Sequence, residues 1–261
     1  MMEGKIWQKT EASGICTVTI DNPEKSNAIN SEMWEDLRRL ASEIDSDNSV
    51  RVVVLTGQGG TFAAGADISE FPAMRTGENA PAYDRLTETA IEAFASISKP
   101  TISAIRGFCI GGGVNLMLAT DIRICALSSI FAVPPARLGI AYPKRSLERL
   151  VEAVGEQQAK YLLFSARRID AQKAQSIGLI SETVEADLLD EVVSSLATQI
   201  TKNAPLSIRA AKLGIRAMRS GSEQTWLSTA EESSEKCYLS EDYREGVDAF
   251  LNHRSPHFHG R

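Results

Sequence analysis

VVVLTGQGGTFAAGADISEF, residues Val52 to Phe71, is the stretch on which the reading of this chain turns. Val50 and Arg51 precede it, and Val50 to Leu55 reads as a buried strand, because the unbroken, mostly β-branched apolar run Val52 to Leu55 belongs to a strand covered on both faces. Gly57, Gly59 and Gly60 end that strand. Asp67 has the chemistry of a helix N-cap, and Glu70, three residues on, completes a capping-box pattern, so a helix is expected after Asp67. Ala66 then stands at a helix entrance, where backbone N–H groups lack intrahelical partners and can hold an oxyanion. A plain capped helix carries the same residues, so this segment alone leaves both readings open.

A second segment has the same character. GFCIGGGVN, Gly107 to Asn115, follows a strand at Thr101 to Ile105, opened by Pro100, and precedes a helix at Val114 to Thr120. Its three consecutive glycines let a ligand approach the backbone and aim N–H groups at it, and they equally suit close helix packing. No Gly-Lys-Ser/Thr follows and no GxGxxG is present, so neither phosphate-binding motif applies. Together, two glycine-flanked helix starts can supply one N–H each to a thioester oxygen that becomes an enolate.

Working outward, Gly14 to Ile20 reads as a strand closed by Asp21-Asn22-Pro23. Ser31 is placed to cap a helix with Met33, Trp34, Leu37, Leu40, Ala41 and Ile44 on its apolar face. A polar loop at Thr76 to Asn79 precedes an amphipathic helix at Tyr83 to Ile97. Strands are expected at Asp121 to Ala126 and Ile130 to Val133. Helices follow at Ser146–Val154, Glu156–Ser165, Ala171–Ser176 and Leu188–Lys202. From Ala204 the pattern is only helical, with Leu213, Ile215, Met218, Trp226 and Leu227 at apolar positions. Alternation followed by an all-helical run implies an α/β core over residues 1–203 and a helical region over 204–261. The apolar face of that region has to be buried somewhere, which makes it an oligomerisation element.

Composition narrows the function classes. The 261 residues are 43% apolar and 24% charged, ordinary for a folded globular chain. A formal net charge of −6 argues against a nucleic-acid surface. No run approaches the ~20 apolar residues of a membrane span, and MMEGKIWQKTEASG at the N-terminus lacks the apolar run of a secretory signal. A cytoplasmic protein with free thiols at Cys16, Cys109, Cys125 and Cys237 is expected, without metal-ligand spacing. The three histidines, His253, His257 and His259, all lie in the C-terminal tail. Chemistry in the core therefore falls to carboxylates, tyrosine, lysine or backbone dipoles.

Val52 to Phe71 and the Gly111–Gly113 run, with DNPEKSNAIN (Asp21 to Asn30) and SEDYREGVDAFLNHRSPHF (Ser240 to Phe258), resemble the crotonase superfamily in order along nearly the whole chain. This is the enoyl-CoA hydratase/isomerase family. The resemblance implies a ββα superhelical core, a C-terminal trimerisation region, a coenzyme A thioester as substrate with no further cofactor, and a homotrimer or dimer of trimers. It maps the oxyanion hole onto the N–H groups of Ala66 and Gly112. It maps CoA or substrate contacts onto Lys25, Ser26 and Ala28, onto Ala64, Ala66, Asp67 and Ile68, and onto Gly112 and Arg137.

The departures from that family carry as much information. In enoyl-CoA hydratases one glutamate follows the glycine run by two residues, where this chain has Asn115. A second follows a proline in the next strand–loop, where Pro134 is followed by Pro135. Hydration needs a base to activate water and an acid for the α-carbon. An amide does not titrate, and proline offers neither a proton nor an N–H. Tyr142 in the absence of both glutamates is similar to the bacterial methylmalonyl-CoA decarboxylase branch, with Arg137 and Lys144 as nearby charges. Decarboxylation yields a thioester enolate without a base. The expectation is a lyase-type reaction on a malonyl-type thioester, with Asn115 and Tyr142 at the reacting centre. An atypical hydratase/isomerase and a non-catalytic CoA-binding subunit are the alternatives.

Overall fold

The computed structural model describes residues 4–219 and 223–261, and the first three residues and the side chains of Trp226 and Leu227 lie outside the described residues. The strands are β1 (Lys5–Thr10), β2 (Ile15–Asp21), β3 (Val52–Gly57), β4 (Thr101–Ile105), β5 (Phe108–Ile110), β6 (Ile122–Ala126), β7 (Ile130–Ala132), β8 (Ile169–Asp170) and β9 (Glu182–Val184). The helices of the core are α1 (Ser31–Ser46), α2 (Phe71–Met74), α3 (Ala80–Ala95), α4 (Gly112–Met117), α5 (Lys144–Ser165), α6 (Ala171–Ser176) and α7 (Leu189–Thr201). Three more follow: α8 (Pro205–Arg219), α9 (Glu223–Leu239) and α10 (Glu241–Leu251).

Six strands form one sheet in the order β1-β2-β3-β4-β6-β9, parallel throughout except for the antiparallel β1–β2 edge. Side chains alternate across it, as strand geometry requires. Val18, Ile20, Val53, Leu55 and Ile105 point into one core with α1 and α3. Ile15, Val52, Val54, Ile102 and Ala104 point the other way, onto Leu189, Val193 and Ala197 of α7. Both faces are covered, which is why Val52 to Leu55 of β3 is a continuous apolar run, while the buried Thr101 and Ser103 of β4 are satisfied by Asp121 and Thr120. A smaller sheet, β5-β7-β8, lies beside it.

The local differences from the expected elements have simple causes. Asn30, not Ser31, caps α1, accepting the Met33 N–H at 2.8 Å. Helix α5 runs through both expected helices, but Gly155 takes φ 75° and ψ 163° inside it, so the chain is helical on either side of a break. Strand β1, with its edge position, and the short β5, β8 and β9 gave no run long enough to read.

The C-terminal helices are fastened to the core by long cationic side chains. On α8, Lys212 Nζ donates to Asp121 Oδ2 at 2.7 Å and to the Lys99 carbonyl at 2.9 Å, and Arg216 reaches the Ala95 carbonyl at 3.2 Å. Arg51 donates to the carbonyls of Thr201, Asn203 and Phe258 at 3.3, 3.1 and 3.2 Å. The tail folds back so that Asp242 accepts the N–H groups of His259 and Gly260 at 2.7 and 2.8 Å.

Candidate active site

Residues 62–67 run as a thread between two partners. Ala63 exchanges backbone bonds with the β5 region, its N–H going to Phe108 and its carbonyl accepting from Ile110, both at 3.0 Å. Three residues on, the chain bridges Ile29: the Ile29 N–H meets the Gly65 carbonyl and the Asp67 N–H meets the Ile29 carbonyl, each at 2.8 Å. A parallel bridge of this kind uses the groups flanking Ala66, so the N–H of Ala66 points to the opposite side. Among the described residues that N–H finds no acceptor.

What it faces is the start of α4. Gly111 is the N-cap at φ 52° and ψ −108°, and Gly112 is the first helical residue, whose N–H has no intrahelical partner. A methyl placed on Gly112 would stand 3.2 Å from the Ala66 nitrogen. One placed on Gly65, where φ is +106°, would stand 2.9 Å from the Ile110 carbonyl oxygen and 3.5 Å from the Gly112 nitrogen. The two free amides are therefore neighbours across a contact that only glycine permits.

Two local expectations need correction. Ala66 does not open a regular helix: a single 3-10 turn at Ile68–Glu70 runs into the four-residue α2. Its amide is free because of the bridge to Ile29. Asp67 is the cap, accepting the Ser69 N–H at 3.0 Å, but Glu70 closes no capping box. Its Oε2 accepts both the N–H and the hydroxyl of Ser31 at 2.8 Å. The first turn of α1 offers an unsatisfied N–H and the positive end of a four-turn dipole, a stronger draw than a one-turn segment.

Beside the two amides lies a cavity of about 200 Å³. Of the residues expected at the site, Ala64, Ala66, Ile68, Gly112, Asn115 and Tyr142 are on its wall, with Pro135. Lys25, Ser26, Ala28 and Asp67 stand outside it but adjoin it through the thread. Lys25 Nζ meets Asp67 Oδ2 at 2.6 Å, and the Ser26 carbonyl accepts the Ala64 N–H at 3.0 Å. Burial alone would raise the Asp67 carboxyl, but Lys25 and Ser69 outweigh it and hold the group below the usual carboxylate range. Arg137 is exposed in a turn at Pro135–Arg137, and Lys144 pairs with Glu148 at 3.6 Å on the first turn of α5.

At Asn115, one of the two positions where a glutamate is expected from the resemblance, a neutral pair stands. Tyr142 donates its hydroxyl to Asn115 Oδ1. Burial, reinforced by Cys109 and opposed by Arg149, pushes the Tyr142 phenol well above its usual range. It therefore stays protonated and acts as a donor.

The rest of the wall was not legible as a site from the sequence. Trp34 of α1 and Tyr83, Thr87 and Glu88 of α3 all line the cavity. Trp34 Nε1, the Tyr83 hydroxyl and Glu88 Oε1 are buried without a hydrogen-bond partner. Burial pushes the Tyr83 phenol to about 12, with the nearby Trp34 N–H offsetting part of the rise. Trp34 and Tyr83 read as ordinary core positions of amphipathic helices. For Glu88 the one available signal was an acid next to the buried Tyr83–Thr87–Ile91 stripe of α3.

Comparison with known proteins finds relatives along nearly the whole chain. A sequence model of the family described as Enoyl-CoA hydratase/isomerase matches residues 10–261. The chain is 34% identical to the short-chain-enoyl-CoA hydratase of Clostridium acetobutylicum over 241 residues, 92% of each protein. It is 31% identical to the 2,3-dehydroadipyl-CoA hydratase of Escherichia coli, covering 95% of this chain and 96% of that one. Among solved structures, the enoyl-CoA hydratase of Bacillus anthracis superposes with a TM-score of 0.93 at 30% identity, covering 98% of this chain and all of that one (100%). With its mixed α/β core, its C-terminal helices and its paired free amides, the chain belongs to the enoyl-CoA hydratase/isomerase family.

Proposed function

We propose that this enzyme binds an acyl-CoA thioester and drives it through a thioester enolate held by the N–H groups of Ala66 and Gly112, in a lyase-type reaction such as decarboxylation of a malonyl-type thioester. The observation that carries the reading is the neutral Tyr142–Asn115 pair next to Pro135, on the same wall as the two free amides. In decarboxylation the bond between the α-carbon and its carboxylate breaks, and carbon dioxide leaves. The electron pair passes through the α-carbon to the thioester oxygen, where preorganised donors stabilise it. A proton taken up from solvent then replaces the carboxylate on the α-carbon. Tyr142, kept protonated by burial, orients the departing carboxylate when its hydroxyl turns to it from Asn115. The loop of Lys25, Ser26 and Ala28 and the thread of Ala64 to Ile68 hold the coenzyme, with Arg137 reaching it from the exposed turn.

A second reading, an atypical hydratase/isomerase, is favoured by the relatives, which are named hydratases, and by the presence of Glu88 on the wall. Turnover of crotonyl-CoA and methylmalonyl-CoA, compared side by side by mass spectrometry, separates the two. Carbon dioxide loss with crotonyl-CoA hydration well under ~10 s⁻¹ is the expected result. Hydration at or above that rate, without decarboxylation, refutes the lyase reading. Coenzyme binding with no turnover across a broad thioester panel makes the chain a non-catalytic subunit.

The assembly is part of the proposal. Residues 204–261 act as the oligomerisation region of a homotrimer or dimer of trimers, supported by apolar side chains left in solvent, Phe250 at 81%, Leu251 at 70% and Leu239 at 69% exposed. Light scattering of the full chain should give a trimer or hexamer, and a folded monomer would refute it.

A further inference from the structure

Of the described carboxylates around the cavity, all but one have a protein partner. Asp67 pairs with Lys25 and accepts from Ser69. Glu70 is used by Ser31. Asp84 holds Arg75 at 2.7 Å, and Glu92 takes Arg149 and, at 3.4 Å, Arg145. Glu88 sits between Asp84 and Glu92 on α3, one turn from each, and unlike them it lines the cavity. Its Oε1 is buried with no partner, and among the described residues neither of its oxygens forms a hydrogen bond or ion pair. Withdrawing a carboxylate oxygen from water without a partner is costly, and folds keep such groups mainly where function uses them. Among the described residues it is also the one carboxylate on the wall that carries the two free amides.

We propose that Glu88 is the catalytic group that carries the proton to and from the α-carbon of the bound acyl thioester. The inference rests on the enolate reading above. It relocates to α3 the acid–base work that positions 115 and 135 are unable to do. In the forward step the α C–H bond breaks and its proton forms an O–H bond on Glu88. The C–H electron pair becomes the new Cα–C1 double bond, and the carbonyl π pair moves onto the oxygen held by Ala66 and Gly112. In reverse, the protonated Glu88 returns the proton to the α-carbon; in a decarboxylation Glu88 is first protonated from solvent and delivers that proton to the α-carbon left by carbon dioxide. With a 3-enoyl thioester the same carboxylate removes the proton at the α-carbon and delivers it to the γ-carbon, so isomerisation needs no second ionisable group.

The test is hydrogen–deuterium exchange at the α-carbon of butyryl-CoA in deuterium oxide, followed by mass spectrometry, since exchange requires enolisation and nothing else. Wild type should exchange, and Glu88→Gln should lose about 10²–10⁴-fold in rate while binding free CoA as wild type does. Glu88→Asp, with a carboxylate set back by one methylene, should recover part of the loss, which a merely structural role would not produce. A Glu88→Gln rate within about threefold of wild type overturns the proposal, far short of the loss of a positioned base. Absence of wild-type exchange overturns it as well. Gly112→Pro deletes a hole donor and should also abolish exchange. If Gly112→Pro keeps wild-type exchange, it is the enolate reading that fails.

Discussion

Gly65→Ala tests whether the two free amides form the working hole, and Gly59→Ala supplies its control. Both glycines have positive φ, +72° at Gly59 and +106° at Gly65, but a methyl on Gly59 meets nothing within 4 Å. An L-residue in the left-handed region costs about 1–2 kcal/mol, so Gly59→Ala should lose that much stability. Gly65 lies outside the favourable part of that region, where strain is about 1–3 kcal/mol. Its methyl would also press on the Ile110 carbonyl at 2.9 Å, an overpacking contact worth about 1–3 kcal/mol more. The sum, about 2–6 kcal/mol, is tolerable for a domain with ~5–15 kcal/mol in hand. Relief of that contact moves the Ile110–Gly112 backbone away from Ala66, and displacing one hole donor should cost about 10²–10³-fold in turnover. Urea titration reads the first quantity, and thioester turnover with free-CoA affinity reads the second. Affinity for free CoA should hold, because it has no acyl oxygen to place. If Gly65→Ala, folded and destabilised, turns over thioester as fast as Gly59→Ala, the amide pair is not the hole.

Other consequences are as direct. Glu70→Gln weakens the two bonds to Ser31 at the start of α1 and should cost about 1–2 kcal/mol in urea titration, since hydrogen bonds to a charged acceptor are the stronger kind. Tyr142→Phe should strand Asn115 Oδ1 at a cost of about 1–3 kcal/mol. In wild type the raised Tyr142 value means its stabilising contribution is full below the ordinary tyrosine value of ~10 and is lost as pH climbs from there, which absorbance titration of the two proteins reads out. The lowered Asp67 value has the opposite sign: its contribution is present above the ordinary ~3.9 and fades as pH falls. Lys25→Met should therefore be less stable than wild type at neutral pH, by under ~1 kcal/mol because Lys25 is half exposed, with the gap closing under acid.

The chain revealed a strand where burial on both faces removed alternation, as at Val52 to Leu55, or where Pro100 and a short β-branched segment marked it, as at Thr101 to Ile105, and its helices wherever a periodic stripe was long, as in α1 and α3. Gly112 was legible because glycines beside a strand–helix junction advertise close backbone approach, whereas Ala66 was picked out from a helix entrance that the structure replaces with a bridge to Ile29. Their mutual distance was not, since it depends on the Ile29 bridge, a contact between segments far apart in the chain. Glu70 shows the same limit. Its spacing from Asp67 satisfied a local rule, while its actual partner, Ser31, is 39 positions away. Glu88 was hidden for a different reason: its one local signal, a place beside the buried Tyr83–Thr87–Ile91 stripe, is shared by solvated glutamates at the edge of any amphipathic helix.

Arg51 has a bearing on how the protein comes apart. Its guanidinium spans carbonyls from the end of α7, from Asn203 and from the tail at Phe258, and burial lowers its proton affinity, with Asp242 opposing. Were α8 to α10 to detach while the sheet stayed intact, this half-buried cation would lose an acceptor and the Lys212–Asp121 bond would break with it. Detachment is thus penalised from the sheet side as well as from the helical side. The helical extension and the sheet are welded into one cooperative unit, and heating should melt both together in a single calorimetric peak.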